Sequence, residues 1–181
     1  DRAARLLGDR PDWRAAREAI EATLRRSADR RDPPALAQTL DGAAADAALL
    51  QLPMLGLPLD EAMLAATVER TEAALGAGDL VYRHPSEDGL EGGEGAFLMA
   101  SFWLAQAKLC LGRVEEGRAL YERMLARAND LGLFSEQIDP ASGDFLGNHP
   151  QAFTHLAVIS TAAMLDLCDR KGPEAVRGSN S

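Results

Sequence analysis

The chain has 181 residues, 46% hydrophobic and 26% charged, a composition that supports a packed core and excludes disorder throughout. That length fits one domain, or a piece of a larger one. With 28 acidic against 19 basic residues the net charge is −9 and the pI about 4.8, so the surface repels phosphate backbones and no nucleic-acid partner is expected.

Asp1 to Leu7 carries apolar residues at helical spacing and ends at Gly8. The opening, DRAARLLGDRPDW, reads as if cut from within a helix. A second helix is predicted from Trp13 to Arg26, with Asp12 as N-cap and Trp13, Ala16, Ile20 and Leu24 on one face. The basic stretch RRSADRR (Arg25 to Arg31) reads as a solvated helix end. Pro33 and Pro34 then exclude helix, and Leu36 to Thr39 is read as extended. Asp46 to Leu52 is helical until Pro53 stops or kinks it. Asp60 caps a helix from Glu61 to Leu75, which Gly76 ends.

The glycine-rich stretch from Gly76 to Gly95 is a long loop with a short β-prone core at Leu80 to Tyr82. Ala96 to Leu111 is apolar on nearly every face, the mark of a buried helix. Gly112 closes it, and Val114 to Asn129 is its amphipathic partner. A second long loop, FSEQIDPASGDFLGNHPQAF (Phe134 to Phe153), then interrupts the helices with Glu136, Asp139 and Asp144. A last, strongly apolar helix runs from Gln151 to Leu167, with Pro150 near its start. Residues 1–170 are expected to form one structural unit and 171–181 a polar tail.

The count is about seven helices, alternating between buried and amphipathic, with long loops before the most apolar ones. This is the pattern of helical hairpins in an inner and an outer layer, their long loops gathered at one end. Loops longer than about 12 residues inside a compact domain are usually functional. A tetratricopeptide array is rejected: a 34-residue shift from Phe97 reaches Leu131, in a loop.

Cys110 and Cys168 sit in apolar helical contexts without metal-ligand spacing, and are expected to be buried free thiols. His84, His149 and His155 form no ligand motif such as HExxH, so neither a metal nor a cofactor is expected. No continuous apolar run approaches the roughly 18 residues of a bilayer span, and no charged segment precedes an apolar leader. No membrane partner is expected, and the expected location is cytoplasmic.

Three segments resemble a known family, in its order and spacing: DAALLQLPMLG (Asp46 to Gly56), DLVYRHPSEDGLEGGEGAFLMASFWLA (Asp79 to Ala105) and LFSEQIDPASGDFLGNHPQAFTHLAVI (Leu133 to Ile159). The family is the glucoamylases, glycoside hydrolase family 15, and the closer likeness is to its bacterial glucoamylase-like and trehalase-like branch. The resemblance runs from Asp1 to about Leu167. It implies an all-α fold that is part of an (α/α)6 barrel, a six-hairpin toroid, of which this chain matches roughly the last half. It also implies hydrolysis of α-linked glucose with inversion, on maltooligosaccharides, isomaltose-type glucosides or trehalose.

Inversion needs a general acid and a general base whose carboxyls stand roughly 6.5–9.5 Å apart, so that a water fits between base and sugar. Ser135-Glu136-Gln137 matches the family's base motif, which implies Glu136 as general base and Gln137 as a positioner of the water or a sugar hydroxyl. Arg83 matches the arginine that holds the terminal sugar; the plainer reading is a surface arginine beside Glu87 and Asp88. Tyr82 is expected to pack beneath it. Glu94 either binds sugar or caps the buried helix, and Phe153 either faces sugar or packs in the core. Trp13 and Trp103 are read as core, and His149 and His155 as satisfied structural histidines.

No residue here matches the family's general acid, which is expected outside this chain. The 181 residues alone are therefore expected to be inactive, and to self-associate through inner-helix surface left uncovered. The rival reading is a non-catalytic helical interaction scaffold or a degenerate glycosidase. The two part over geometry: catalysis requires Glu136 and Arg83 at one end of the helical layers.

Overall fold

The computed structural model describes residues 6–8, 10–84 and 94–177. The start of the first predicted helix, the middle of the glycine-rich loop with Glu87 and Asp88, and the last residues of the tail lie outside the described residues.

Five α-helices carry the fold: α1 (Pro11–Ala28), α2 (Glu61–Leu75), α3 (Leu98–Cys110), α4 (Val114–Leu125) and α5 (Ala152–Lys171). Two 3₁₀ segments, Ala47–Met54 and Pro173–Ala175, stand beside them, and Leu6 and Leu7 are helical as well. Five two-residue strands join the loops: β1 (Gly76–Ala77), β2 (Leu80–Val81), β3 (Ala96–Phe97), β4 (Gln137–Ile138) and β5 (Phe145–Leu146). β1 and β2 form a small hairpin, and β3–β4–β5 an antiparallel sheet.

α3 is the centre. Its sequence LMASFWLAQAKLC leaves almost no polar face, and α4, α5, the Ala47–Met54 segment and β2 all pack on it. Phe102 meets Tyr121 and Phe134 edge-on, at ring-centroid distances of 6.0 and 5.7 Å. Burying each such ring contributes roughly 1.5–3 kcal/mol. Lys108, only 8% exposed, is neutralised by Glu72 of α2 at 3.0 Å and Glu116 of α4 at 3.2 Å. Gly112, at φ +78°, turns the chain from α3 into α4. A β-carbon on Gly117 would lie 2.8 Å from Leu109 Cδ2, so the two helices meet where α4 has no side chain. α4 stops at Leu125, short of the expected Asn129, because Asn129 Oδ1 accepts the N–H groups of Leu131 and Leu133 and forms a turn.

α5 lies against α3 through one face. Buried Gln106 places its amide nitrogen 3.3 Å from Ala157 O, 2.7 Å from Ser160 Oγ and 2.8 Å from Thr161 Oγ1. On the other face Phe153, Leu156 and Ile159 are 62%, 59% and 64% exposed. Apolar on both faces, α5 is long and apolar enough to cross a bilayer by length and composition, although polar residues interrupt its apolar run. Its buried face is committed to the helix–helix contact with α3.

The N-terminal part corrects several readings. α1 begins at Pro11, with Arg10 in the N-cap position and Asp12 already in the first turn, so Asp12 is no cap. Trp13 is not core: it is 37% exposed, with the Arg10 guanidinium 5.2 Å above its ring, and Ile20 is exposed too. Only Leu24, at the far end of that face, packs against a core cluster, that of Ala28, Leu36 and Met63, and α1 is buried only at Ser27 and Ala28. The basic stretch is a solvated end only in part: Arg26, Asp29 and Arg30 are exposed, but Ser27 and Ala28 are buried and three arginines are engaged. Arg25 binds Asp60 Oδ2 at 2.6 Å, Glu21 and the Pro58 carbonyl; Arg31 binds the carbonyls of Ser27, Ala35 and Gly42; Arg30 pairs with Asp41. Guanidinium groups thus fix a loop that has no regular backbone pairing. Asp60 stands at the N-cap of α2 but turns its carboxylate to Arg25. Leu36 is held by its N–H to Thr67 Oγ1 at 2.9 Å, not by a strand. Trp103 does pack on the core, edge-on to Phe97 at 6.2 Å.

Candidate active site

The two long loops meet in the three-stranded sheet. Ala96 pairs with Ile138 and Phe97 with Gln137; Gln137 then pairs with Leu146 and Ile138 with Phe145. A side chain at Gly95 would come within 2.9 Å of the Ile138 carbonyl and of Leu146 Cδ1, so this approach depends on glycine. The acids of the second loop divide by role. Asp139 and Asp144 build the β4–β5 turn: Asp139 Oδ1 accepts the Ala141 N–H at 2.8 Å, and Ser142 Oγ donates to Asp144 Oδ2 at 2.8 Å. The Ala141 N–H, ahead of the Ser142 contacts, holds the Asp139 carboxyl below its ordinary value.

Glu136 sits outside that turn, on a backbone clamped from both sides. Its N–H donates to Asn148 O at 2.9 Å and its carbonyl accepts the Leu98 N–H at 3.1 Å. The residues before it are tied to the start of α5. Phe134 O accepts from Gln151 N at 2.9 Å, and Ser135 O accepts from buried Thr154 Oγ1 at 3.0 Å. His155 Nε2 accepts the Phe134 N–H at 3.4 Å while its Nδ1 donates to Gln151 O at 2.8 Å, so it is a satisfied structural histidine. The Glu136 carboxylate accepts two hydrogen bonds from Asn148, both at Oε2.

The other candidates gather around the same end of α3. Gln137 Oε1 accepts the Gly95 N–H at 3.1 Å, and among the described residues its Nε2 makes no hydrogen bond. β2 packs on β3 and, through Val81 N–H to Ser101 Oγ at 3.0 Å, on the first turns of α3. Tyr82 follows β2 with its ring half-buried against the core and its N–H on Leu75 O. Arg83 has its carbonyl held by the Ala47 N–H, and its exposed guanidinium makes no hydrogen bond or ion pair among the described residues. His84 lies next, with Nε2 3.8 Å from Glu94 Oε2. Glu94 does not cap the buried helix: residues 96–97 enter the sheet first, and α3 starts at Leu98. Phe153 does not pack in the core either. It stands exposed on the first turn of α5, whose other face meets α3.

Two residues next to Glu136 escape sequence reasoning, Gly147 and Asn148. A turn glycine, Gly147 at φ +69°, is the one local signal, and it marks the bend but not Asn148. His149 contributes a ring tilted against Phe145 at 5.0 Å. Among the described residues no group of three or more His, Cys, Asp or Glu is placed to hold a metal ion. Cys110 and Cys168 are buried and free, and burial foremost pushes the Cys110 thiol up to about 12.

The model of glycosyl hydrolases family 15 matches residues 43–163. A trehalase of Thermoplasma volcanium is 39% identical over 156 residues, covering 85% of this chain and 25% of that protein. A trehalase of Mycolicibacterium smegmatis is 40% identical over 165 residues, covering 87% and 24%. Among solved structures, a wild-type glycosidase superposes with a TM-score of 0.68 at 21% identity, over 87% of this chain and 46% of that one. A glycosidase variant in complex with glucose gives 0.65 at 19% identity, with the same coverage. At those identities the superpositions speak for the fold: a mostly helical chain consistent with part of an (α/α)6 barrel. The chain spans about a quarter of the length of these trehalases, 25% and 24%.

Proposed function

Because this chain belongs to glycosyl hydrolases family 15, we propose that it is part of an inverting glycoside hydrolase acting on α-glucosides, with Glu136 as general base. Trehalose is the preferred substrate on this reading, since the relatives near 40% identity are trehalases. The observation that carries the base role is the clamped backbone of Glu136. Hydrogen bonds to Leu98 and Asn148 fix the residue where two functional loops join.

In this reading a water lies between Glu136 and the anomeric carbon. The carboxylate takes one proton as the water oxygen attacks and the glycosidic bond breaks on the opposite face. The leaving oxygen needs a proton from a second carboxylic acid, about 6.5–9.5 Å from Glu136. No side chain here matches that acid, so on this reading it is supplied by the rest of the catalytic domain. The 181 residues alone are then inactive. The guanidinium of Arg83 and the amide nitrogen of Gln137, both without a hydrogen bond among the described residues, are donors suited to sugar hydroxyls. Tyr82 supports Arg83 from below, and Glu94, with His84, and the exposed ring of Phe153 complete the sugar-binding set.

The test is trehalose hydrolysis by the complete catalytic domain, with product anomers followed by proton NMR. One α- and one β-glucose should form per trehalose at early times. Glu136→Gln should reduce kcat about 10²–10⁴-fold. Activity close to that of the unmodified domain would remove Glu136 from the mechanism and favour a non-catalytic scaffold.

A further inference from the structure

We propose that Asn148 is the positioning residue of Glu136, and that it divides the carboxylate so that Oε1 is the proton-accepting oxygen. This rests on the reading of Glu136 as general base and adds a residue to it.

Three hydrogen bonds join the two residues. Glu136 N–H donates to Asn148 O at 2.9 Å, Asn148 N–H donates to Glu136 Oε2 at 3.2 Å, and Asn148 Nδ2 donates to the same Oε2 at 2.8 Å. Asn148 therefore grips Glu136 by backbone and side chain together, across 12 positions of sequence. Gly147 makes the grip possible, because a β-carbon there would lie 3.0 Å from Oε2. Among the described residues no donor reaches Oε1.

The asymmetry has a chemical consequence. An oxygen that already accepts two N–H groups is a poor acceptor for a further proton, since its lone pairs are engaged and its charge is stabilised. The other oxygen accepts no hydrogen bond among the described residues, which leaves its lone pairs for the water. Holding Oε2 also fixes the rotation of the carboxylate, so Oε1 points in one direction. Misplacing a reacting group by about 1 Å can cost 10²-fold in rate. Because the Asn148 side chain is exposed, its removal takes away the Nδ2 hydrogen bond to Oε2 and leaves the two backbone ones, without opening the core.

The experiment compares Asn148→Ala, Asn148→Asp and Glu136→Gln in the complete catalytic domain, with kcat, KM and the pH profile of kcat/KM on trehalose. Asn148→Ala should lower kcat about tenfold or more, with KM within about twofold. Asn148→Asp keeps the shape but sets an acid against Oε2, so the acidic limb of its profile should move to higher pH. A loss of packing alone would not move that limb. Wild-type kcat and an unmoved limb in both Asn148 variants, with Glu136→Gln inactive, would overturn the role of Asn148 and leave the general base standing. An active Glu136→Gln would instead overturn the base, and the positioning role with it. Folding is separated by NMR on the unmodified Asn148. Its side-chain amide signal should follow the acid titration of Glu136 and lose that step in Glu136→Gln; a signal indifferent to both overturns the contact.

Discussion

A β-carbon on Gly147 would lie 3.0 Å from Oε2 of Glu136 and 3.1 Å from its β-carbon, so these two residues touch only because one has no side chain. The backbone there, at φ +69°, is strained for any L side chain. Gly147→Ala should displace the carboxylate and cut kcat of the complete domain tenfold or more, a cost on the order of 1.4 kcal/mol in the barrier. Thermal unfolding should show an additional loss of about 1–3 kcal/mol from the backbone alone.

Gln106 joins α3 to α5 in a buried position, with its amide nitrogen shared among Ala157 O, Ser160 Oγ and Thr161 Oγ1. Replacing it by Leu leaves the buried Thr161 hydroxyl with fewer partners. Gln106→Leu should cost about 1–3 kcal/mol in urea unfolding, and Gln106→Glu more, since it would bury a charge.

The exposed row of Phe153, Leu156 and Ile159 predicts association of the 181-residue chain. Sedimentation should give a concentration-dependent mass, and Leu156→Glu with Ile159→Lys should return it toward the monomer. A single monomeric species at high concentration, before any substitution, would speak against this surface as a contact.

Cys110 sets an alkaline limit on stability. Burial foremost, then Cys168, raises its thiol from 9.0 to about 12, so the folded state holds its proton more tightly than the unfolded chain. That contribution is fully present below about pH 9 and is lost as pH rises toward about 12. Tyr121 is raised by burial and acts with the same sign. Urea midpoints should fall across this window, and Cys110→Ala should flatten part of the fall. At pH 8 neither thiol should react with a disulfide reagent until the protein unfolds.

Periodicity and punctuation made the helices legible: α2 keeps its expected ends, and α3 and α5 lie within two to four residues of theirs because apolar spacing and glycine stops are local. β3 was hidden inside a run read as helix, since Ala96 and Phe97 are as apolar as the first turn of α3, and only their distant partners Ile138 and Gln137 make them strand. The face of α1 shows a different limit. Spacing identifies its apolar side, whereas whether anything lies against that side is a property of the rest of the fold. At the site, the Ser-Glu-Gln motif made Glu136 a candidate, yet nothing local marks Asn148. Its relation to Glu136 exists only once the β4–β5 hairpin brings position 148 back to position 136.

The sheet that joins β3 to β4 and β5 has a consequence for anyone recombining such proteins. Leu98 reads the backbone of Glu136, Gly95 reads the side chain of Gln137, and both lie about 40 residues upstream. The two loops are therefore one inherited part in two stretches of sequence. A graft of either loop alone from a relative would bring half of a lock, and only the matched pair would carry its carboxylate across intact.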